Sequence, residues 1–373
     1  MMRRLMPCLA LLLAGCGLLA PAASPEQMAS ALEEQVTRVA IADREHIYGT
    51  YPLCEVDKCR LRLAATRDGG RSWSHHDLPQ GPTGMRKPGV NDHTFTLTVI
   101  GPVTLRLSHW QSRKAWVTTD GGASWRPDPA AAKPVPVLPD GWSILAGGVG
   151  SHSGSTYVDI GDPATGQTGT LEVPRGAAAG HFPRDTSRRG IWLTTTASGD
   201  SVTVSASHDR GRTWISRSHG FDDQVGGGPA LSLAVSADGK TAYLVLSRFR
   251  SFTSNPETMV VRSEDGGSSW TRVTPAGLPA AVRVESAQLL PDGTLLGLCG
   301  LKDSERVLYA SKDGGRTFQQ VAASGYPAGG NDLWPLPGGG WVSTLAADYV
   351  QVLPPVHLSD DGLTWREVQV PRA

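Results

Sequence analysis

The chain is short of most features that would name a function quickly. It has no excess charge of either sign, with 35 basic and 35 acidic residues in 373. No basic stripe runs along it, and that argues against nucleic acid as a ligand. Aromatic residues are 6% of the chain. Its longest apolar run, Leu5 to Leu13, is too short to cross a bilayer as a permanent helix. There are five cysteines, Cys8, Cys16, Cys54, Cys59 and Cys299. Two neighbouring thiols do not complete a zinc shell, so no metal site is expected, and no cofactor motif is present.

Glycine and proline are abundant, at 44 and 27 residues, as suits a fold of many short strands and turns. One eight-residue phrase recurs: TRDGGRSW (66–73), TTDGGASW (118–125), SHDRGRTW (207–214), SEDGGSSW (263–270), SKDGGRTF (311–318) and the shorter SDDGLTW (359–365). Its chemistry is that of a tight hairpin turn. The Asp carboxylate accepts from turn N–H groups, Gly supplies positive φ, and the aromatic closes the turn against the sheet.

The six aspartates, Asp68, Asp120, Asp209, Asp265, Asp313 and Asp361, are separated by 52, 89, 56, 48 and 48 residues. A fixed period in this range marks propellers and solenoids. One interval is nearly double, so a degenerate copy is expected inside it; Asp162 divides it into 42 and 47. A second repeat, a Pro-Asp-Gly-like turn at 139–141, 237–239, 291–293 and 337–339, precedes the phrase by 20 to 26 residues each time. The pattern predicts an all-β, seven-bladed propeller of four-stranded antiparallel blades over residues 36–373. If the chain enters on a first strand near Val36–Ala42 and leaves on a fourth near Trp365–Val370, the ring closes without an exchanged strand; the sequence leaves the closure mode open.

The phrase resembles the Asp-box, or BNR repeat, of sialidases, sortilin-type receptors, xyloglucan hydrolases and a photosystem II assembly factor. In those families the box joins the third and fourth strands of a blade, away from the binding face. The resemblance therefore implies that the six aspartates are structural and that any protein or glycan ligand sits on the opposite face. A six-bladed sialidase-type ring is the alternative architecture. Sialidases carry an Arg-Ile-Pro near the first strand, two more arginines, a Tyr/Glu pair and an Asp. Here Thr37-Arg38-Val39-Ala40 stands in the matching place without the proline. Arg38, Asp43, Arg250, Glu285, Arg306 and Tyr349 are the candidates for such a set, although no spacing fixes them. The leading expectation is accordingly a binding or assembly scaffold, with a sialidase-like exo-glycosidase as the competing one.

Residues 1–16 resemble a bacterial lipoprotein signal. Arg3 and Arg4 precede the apolar run, and Leu13-Ala14-Gly15-Cys16 matches the lipobox. The resemblance implies export and lipidation at Cys16, with residues 17–35 as a tether or short helix and membrane contact through the anchor. Cys54 and Cys59 flank the tetrapeptide Glu55-Val-Asp-Lys58, expected as the loop between two antiparallel strands of blade 1, where a cross-strand disulfide is geometrically easy. Cys299 reads as a small buried hydrophobe.

Overall fold

The computed structural model describes residues 38–55, 58–79, 95–109, 112–128, 133–145, 157–174, 190–196, 201–221, 230–249, 255–300, 306–327, 333–344 and 355–371. They form seven antiparallel sheets arranged as a seven-bladed β-propeller. Blade 1 holds β1 (Arg38–Ile41), β2 (Ile47–Glu55), β3 (Lys58–Thr66) and β4 (Ser74–Asp77). Blade 2 holds β5 (Phe95–Val99), β6 (Leu105–His109), β7 (Lys114–Thr118) and β8 (Arg126–Pro127). Blade 3 has β9 (Ser143–Ile144), β10 (Tyr157–Gly161) and β11 (Thr168–Glu172), and blade 4 has β12 (Ile191–Thr196), β13 (Ser201–Ser207) and β14 (Ile215–Gly220). Blade 5 runs from β15 (Ala230–Val235) through β16 (Ala242–Phe249) and β17 (Pro256–Ser263) to β18 (Thr271–Val273). Blade 6 follows with β19 (Arg283–Leu289), β20 (Leu295–Gly300), β21 (Arg306–Ser311) and β22 (Gln319–Val321). Blade 7 closes the chain with β23 (Trp334–Pro335), β24 (Trp341–Thr344), β25 (Val356–Ser359) and β26 (Trp365–Val368).

Strand composition follows position in the blade. The second strand of blade 6, Leu-Leu-Gly-Leu-Cys-Gly, has sheet neighbours on both sides and is buried on both faces, whereas the outer β22 is a short polar stretch. Such a central strand reads as a continuous apolar run. Every box occupies the connection from third to fourth strand. Its neighbour in space is the connection from first to second strand: Gly69 N donates to Glu45 O at 2.9 Å, Gly121 N to Val103 O at 2.8 Å and Gly266 N to Lys240 O at 2.9 Å. Boxes and first turns therefore share one end of the ring, the box face. Second strands end and third strands begin at the other, the loop face, whereas the crossings into blades 6 and 7 bond to the next box, Ala276 N donating to Arg316 O at 2.8 Å and Ser324 N to Leu363 O at 2.9 Å.

The degenerate seventh repeat is where the spacing predicts it. The turn 162–167 joins β10 to β11, Asp162 accepts from Ala164 N at 2.9 Å and from the Thr165 hydroxyl at 2.6 Å, and Gly166 has φ +73°. Blades 3 and 4 show three strands each among the described residues. In blade 3 the approach segment instead bridges the outer strand, Val135 pairing in parallel with Leu171.

Each sheet is built from strands consecutive in sequence, so the ring closes without an exchanged strand. Blade 7 meets blade 1 through side chains. Ile41 and Ile47 pack with Leu336, Val342, Val356, Leu358 and Val368, Arg366 donates to Gly69 O at 2.8 Å, and Arg44 meets Asp360 at 2.9 Å. Comparable buried apolar clusters lie between blades 1 and 2, 3 and 4, 4 and 5, 5 and 6, and 6 and 7.

Candidate functional site at the loop face

The box aspartates are consumed by their own turns. In blade 2 the Thr118 hydroxyl donates to Asp120 Oδ1 at 2.6 Å, Ser124 N to the same oxygen at 2.9 Å and the Ser124 hydroxyl to Oδ2 at 2.6 Å, while Gly122 N reaches back to Thr118 Oγ1 at 2.9 Å. The box of blade 5 repeats this with Ser263, Asp265, Gly267 and Ser269. Its tryptophan closes the turn twice over, since Trp270 packs against the cluster between blades 4 and 5 and its indole N–H donates to Gly267 O at 3.0 Å. Hydroxyl and then backbone donors hold Asp209 and Asp265 down to about 2. Asp120 reaches about 2 against a desolvation penalty, and Asp68 and Asp313 are held well below the usual carboxylate range by the Ser72 and Thr317 hydroxyls. A carboxylate so saturated with donors has no chemistry left to offer a ligand. The hydroxyl at the seventh box position carries half of this network; the sequence displays it in every copy, but without coordinates it reads as mere small polar filler.

The box face also has an open cleft of about 620 Å³ at the seam of blades 7 and 1, lined in part by Arg44, Arg67, Asp360 and Arg366. Three of its four arginines have structural duties. Arg44 pairs with Asp360, Arg366 caps Gly69 O, and Arg67 caps Asp120 O of the next blade.

The sialidase-type candidates scatter. Asp43 lies on the box face, not the loop face: it caps the first turn of blade 1, accepting from Glu45 N and His46 N at 2.8 Å each and meeting His46 Nδ1 at 3.0 Å. Arg38 opens β1 at the loop-face end, but its side chain lies outside the described residues, as do Arg250 and Tyr349 entirely. Cys54 faces Cys59 in the β2–β3 register, next to the closing pair Glu55 and Lys58; the side chains of both cysteines are likewise outside the described set. Cys299 is fully buried, and burial pushes its thiol up and out of reactive range.

Only Glu285 and Arg306 are brought together. The pairing of β19 with β20 shifts register between Val284 and Ser286, which makes Glu285 the extra residue of a β-bulge. Its carboxylate consequently crosses to the loop-face end of β21, where Arg306 Nε donates to Glu285 Oε2 at 2.6 Å. The second strand must give way to it. A Cβ at Gly300, the last residue of β20, would lie 2.6 Å from Glu285 Oε1. Bulges of this kind re-aim a side chain and concentrate beside binding sites.

A second pair sits on blade 5. Arg248, near the loop-face end of β16, is fully buried with its guanidinium 3.9 Å above the Phe221 ring of blade 4, and it meets Glu257 at 3.2 Å. Stacking and pairing together make a charge tolerable in that interior. Arg248 and Glu257 stand directly opposite each other at the loop-face end of the β16–β17 ladder. Among the described residues there is no cluster of side chains able to hold a metal ion.

The family model for the BNR repeat-like domain matches residues 89–323. A xyloglucanase from a Paenibacillus species is 32% identical over 143 residues, which is 38% of this chain and 12% of that protein. The chain thus spans a small fraction of the length of the curated relative it matches. Among solved structures, the β-propeller domain of the trilobed protease of Pyrococcus furiosus aligns with a TM-score of 0.46 at 11% identity, covering 90% of this chain and 96% of that one. The GH74 xyloglucanase from Xanthomonas campestris aligns with a TM-score of 0.36 at 15% identity, covering 89% of this chain and 47% of that one.

Proposed function

For a chain that belongs to the BNR repeat-like domain family, we propose the role of an exported, lipid-anchored propeller that binds a glycan at its loop face as a non-catalytic scaffold. The observation that carries this reading is the pairing of described loop-face carboxylates with arginines: Glu285 Oε2 accepts from Arg306, and Glu257 pairs with Arg248. Glycosidases instead oppose two carboxyl groups across the scissile bond, with nothing but sugar and water between them. The xyloglucanase relative supports a glycan over a protein as ligand.

That same relative favours a second reading, an exo-glycosidase of sialidase-like or xyloglucanase-like type. Incubation of the purified protein with xyloglucan and with a fluorogenic sialoside separates the two. The scaffold reading expects saturable binding to xyloglucan oligosaccharides with no release of reducing ends or fluorophore above a heat-denatured control. Release from either substrate overturns it.

The anchor is tested by fractionation. Cys16→Ser is expected to leave the membrane fraction or to remain unprocessed, and a variant that stays membrane-bound at mature size removes the lipid from the proposal. Export is also supported by the two cysteines opposed in the β2–β3 register. Opposed Cα atoms in an antiparallel pair are about 4.5–5.5 Å apart, within the span a disulfide bridges. Intact mass before and after reduction and alkylation decides whether that bond forms.

A further inference from the structure

The bulge at Glu285 presents more than an internal ion pair. Before it, Val284 faces blade 5; after it, Ser286 and Gln288 face blade 7, where the Ser286 hydroxyl and the Gln288 amide both donate to Leu333 O, at 3.3 and 2.8 Å. Glu285 and Ser286 therefore lie consecutively on one side, toward blade 7, which only a bulge permits. The strand is pinned on its other side as well. Val284 N donates to Ser247 Oγ at 3.2 Å and Ala287 N to Ser232 Oγ at 2.8 Å, both from blade 5. Glu285 is thus carried by a rigid segment of the first strand, three residues from its loop-face end.

Its two oxygens differ. Oε2 takes the Arg306 Nε–H, whereas Oε1 lies over Gly300 and has no hydrogen-bond donor among the described residues; the side chain is 28% exposed. A half-buried, rigidly aimed acceptor next to an open glycine is suited to a ligand that brings its own donors. An anion would be repelled by the same oxygen. Resting on the glycan-binding reading above, we propose that Glu285 is a ligand-contacting carboxylate on the blade-7 side of blade 6, and that its outward oxygen accepts hydroxyl groups of a neutral sugar and excludes acidic ones such as uronates and sialic acid.

Glu285→Gln makes the test sharp. Arg306 Nε–H claims the amide oxygen, so the amide nitrogen takes the Oε1 place and a donor replaces the acceptor. Gly300→Ala tests the same point with the carboxylate chemically intact, because the added Cβ displaces it. Titration calorimetry with a neutral xyloglucan oligosaccharide and with sialyllactose, on both variants and the wild type, is the measurement. The wild type is expected to bind the neutral probe and not the acidic one. Both variants are expected to lose about 10- to 100-fold in affinity for the neutral probe, the range for one hydrogen bond to a charged group, with melting temperatures close to wild type. If the wild type binds the neutral probe and Glu285→Gln binds it equally well, the assignment of Glu285 falls and the glycan-binding reading stands. If the wild type prefers sialyllactose, the proposed selectivity is wrong. If it binds neither probe, both readings fall together.

Discussion

Two interfaces in the ring are built on different principles. Between blades 4 and 5 a buried apolar cluster runs from Trp192 and Val204 through Leu233 and Leu244 to Met259 and Val261, with the box tryptophan Trp270 laid against it. Between blades 2 and 3 no such cluster joins the two sheets among the described residues. Polar bonds take its place: Thr104 Oγ1 donates to Pro163 O at 2.6 Å and Arg126 reaches Thr165 O, while Arg106, paired with Asp128 inside blade 2, places its charge beside the half-buried Asp159 of blade 3. The difference coincides with the degenerate repeat. The turn at 162–167 has no tryptophan to insert between blades, so the interface it borders is stitched by hydrogen bonds in which every donor must meet an acceptor. An apolar interface tolerates drift that a polar one does not, and this chain has kept the regular box wherever it relies on apolar packing.

The largest effect should come from emptying the apolar interface. Trp192→Ala is expected to lower stability by about 3–5 kcal/mol, as for other buried large-to-small changes, read by urea or thermal denaturation. A cost below about 1 kcal/mol would mean that blades 4 and 5 do not depend on that cluster. Next come two glycines that occupy equivalent places on the two sides of the comparison. Gly122 at φ +96° packs on Leu63 of the preceding blade, and Gly166 at φ +73° packs on Val117 in the same way. Alanine at either should cost about 1–3 kcal/mol through clash and backbone strain. A large effect at 122 with none at 166 would show that the seventh turn only imitates a box.

A smaller effect separates the interfaces by pH. Box aspartates are held below their unfolded range, so their stabilisation is complete above about pH 4 and is lost as pH falls toward 2. Asp159 runs the other way. Burial raises its carboxyl, against the opposing charge of Arg106, so its contribution is fully present below the ordinary carboxylate value and declines as pH rises through the raised one. Asp120→Asn is accordingly expected to flatten the acid limb of a stability-versus-pH curve, and Asp159→Asn to flatten the limb just above the ordinary carboxylate range. Identical curves for Asp159→Asn and wild type would remove the distinction. The smallest effect belongs to the exposed Arg126, whose replacement by Ala should change stability by no more than about 0.5 kcal/mol; a larger loss would mean that its bond to Thr165 is a main support of the polar interface.

Much of this was legible beforehand. The Asp-box spacing carries the blade number because each box chemistry is local: Asp, hydroxyl and glycine within eight residues satisfy one another without help from the rest of the chain. The Pro-Asp-Gly turns are equally local, and the shared face follows from strand alternation alone. Asp43 shows the complementary limit. An Asp beside a first strand can serve a turn or a site, and only the position of that turn at the box end distinguishes them.

What the sequence determined by itself, then, is the ring: an all-β propeller, its blade count, the degenerate copy at Asp162 and the structural role of the six box aspartates, all from contacts short in sequence. The tertiary structure alone decided the rest. The bulge that turns Glu285 over Gly300 toward Arg306, the stacking of Arg248 on Phe221 and the polar seam of blades 2 and 3 join residues 15 to 59 positions apart on different strands and turns. Such contacts depend on register and on the meeting of blades, which no residue spacing encodes, because a one-residue shift in a strand sends every side chain to the other face.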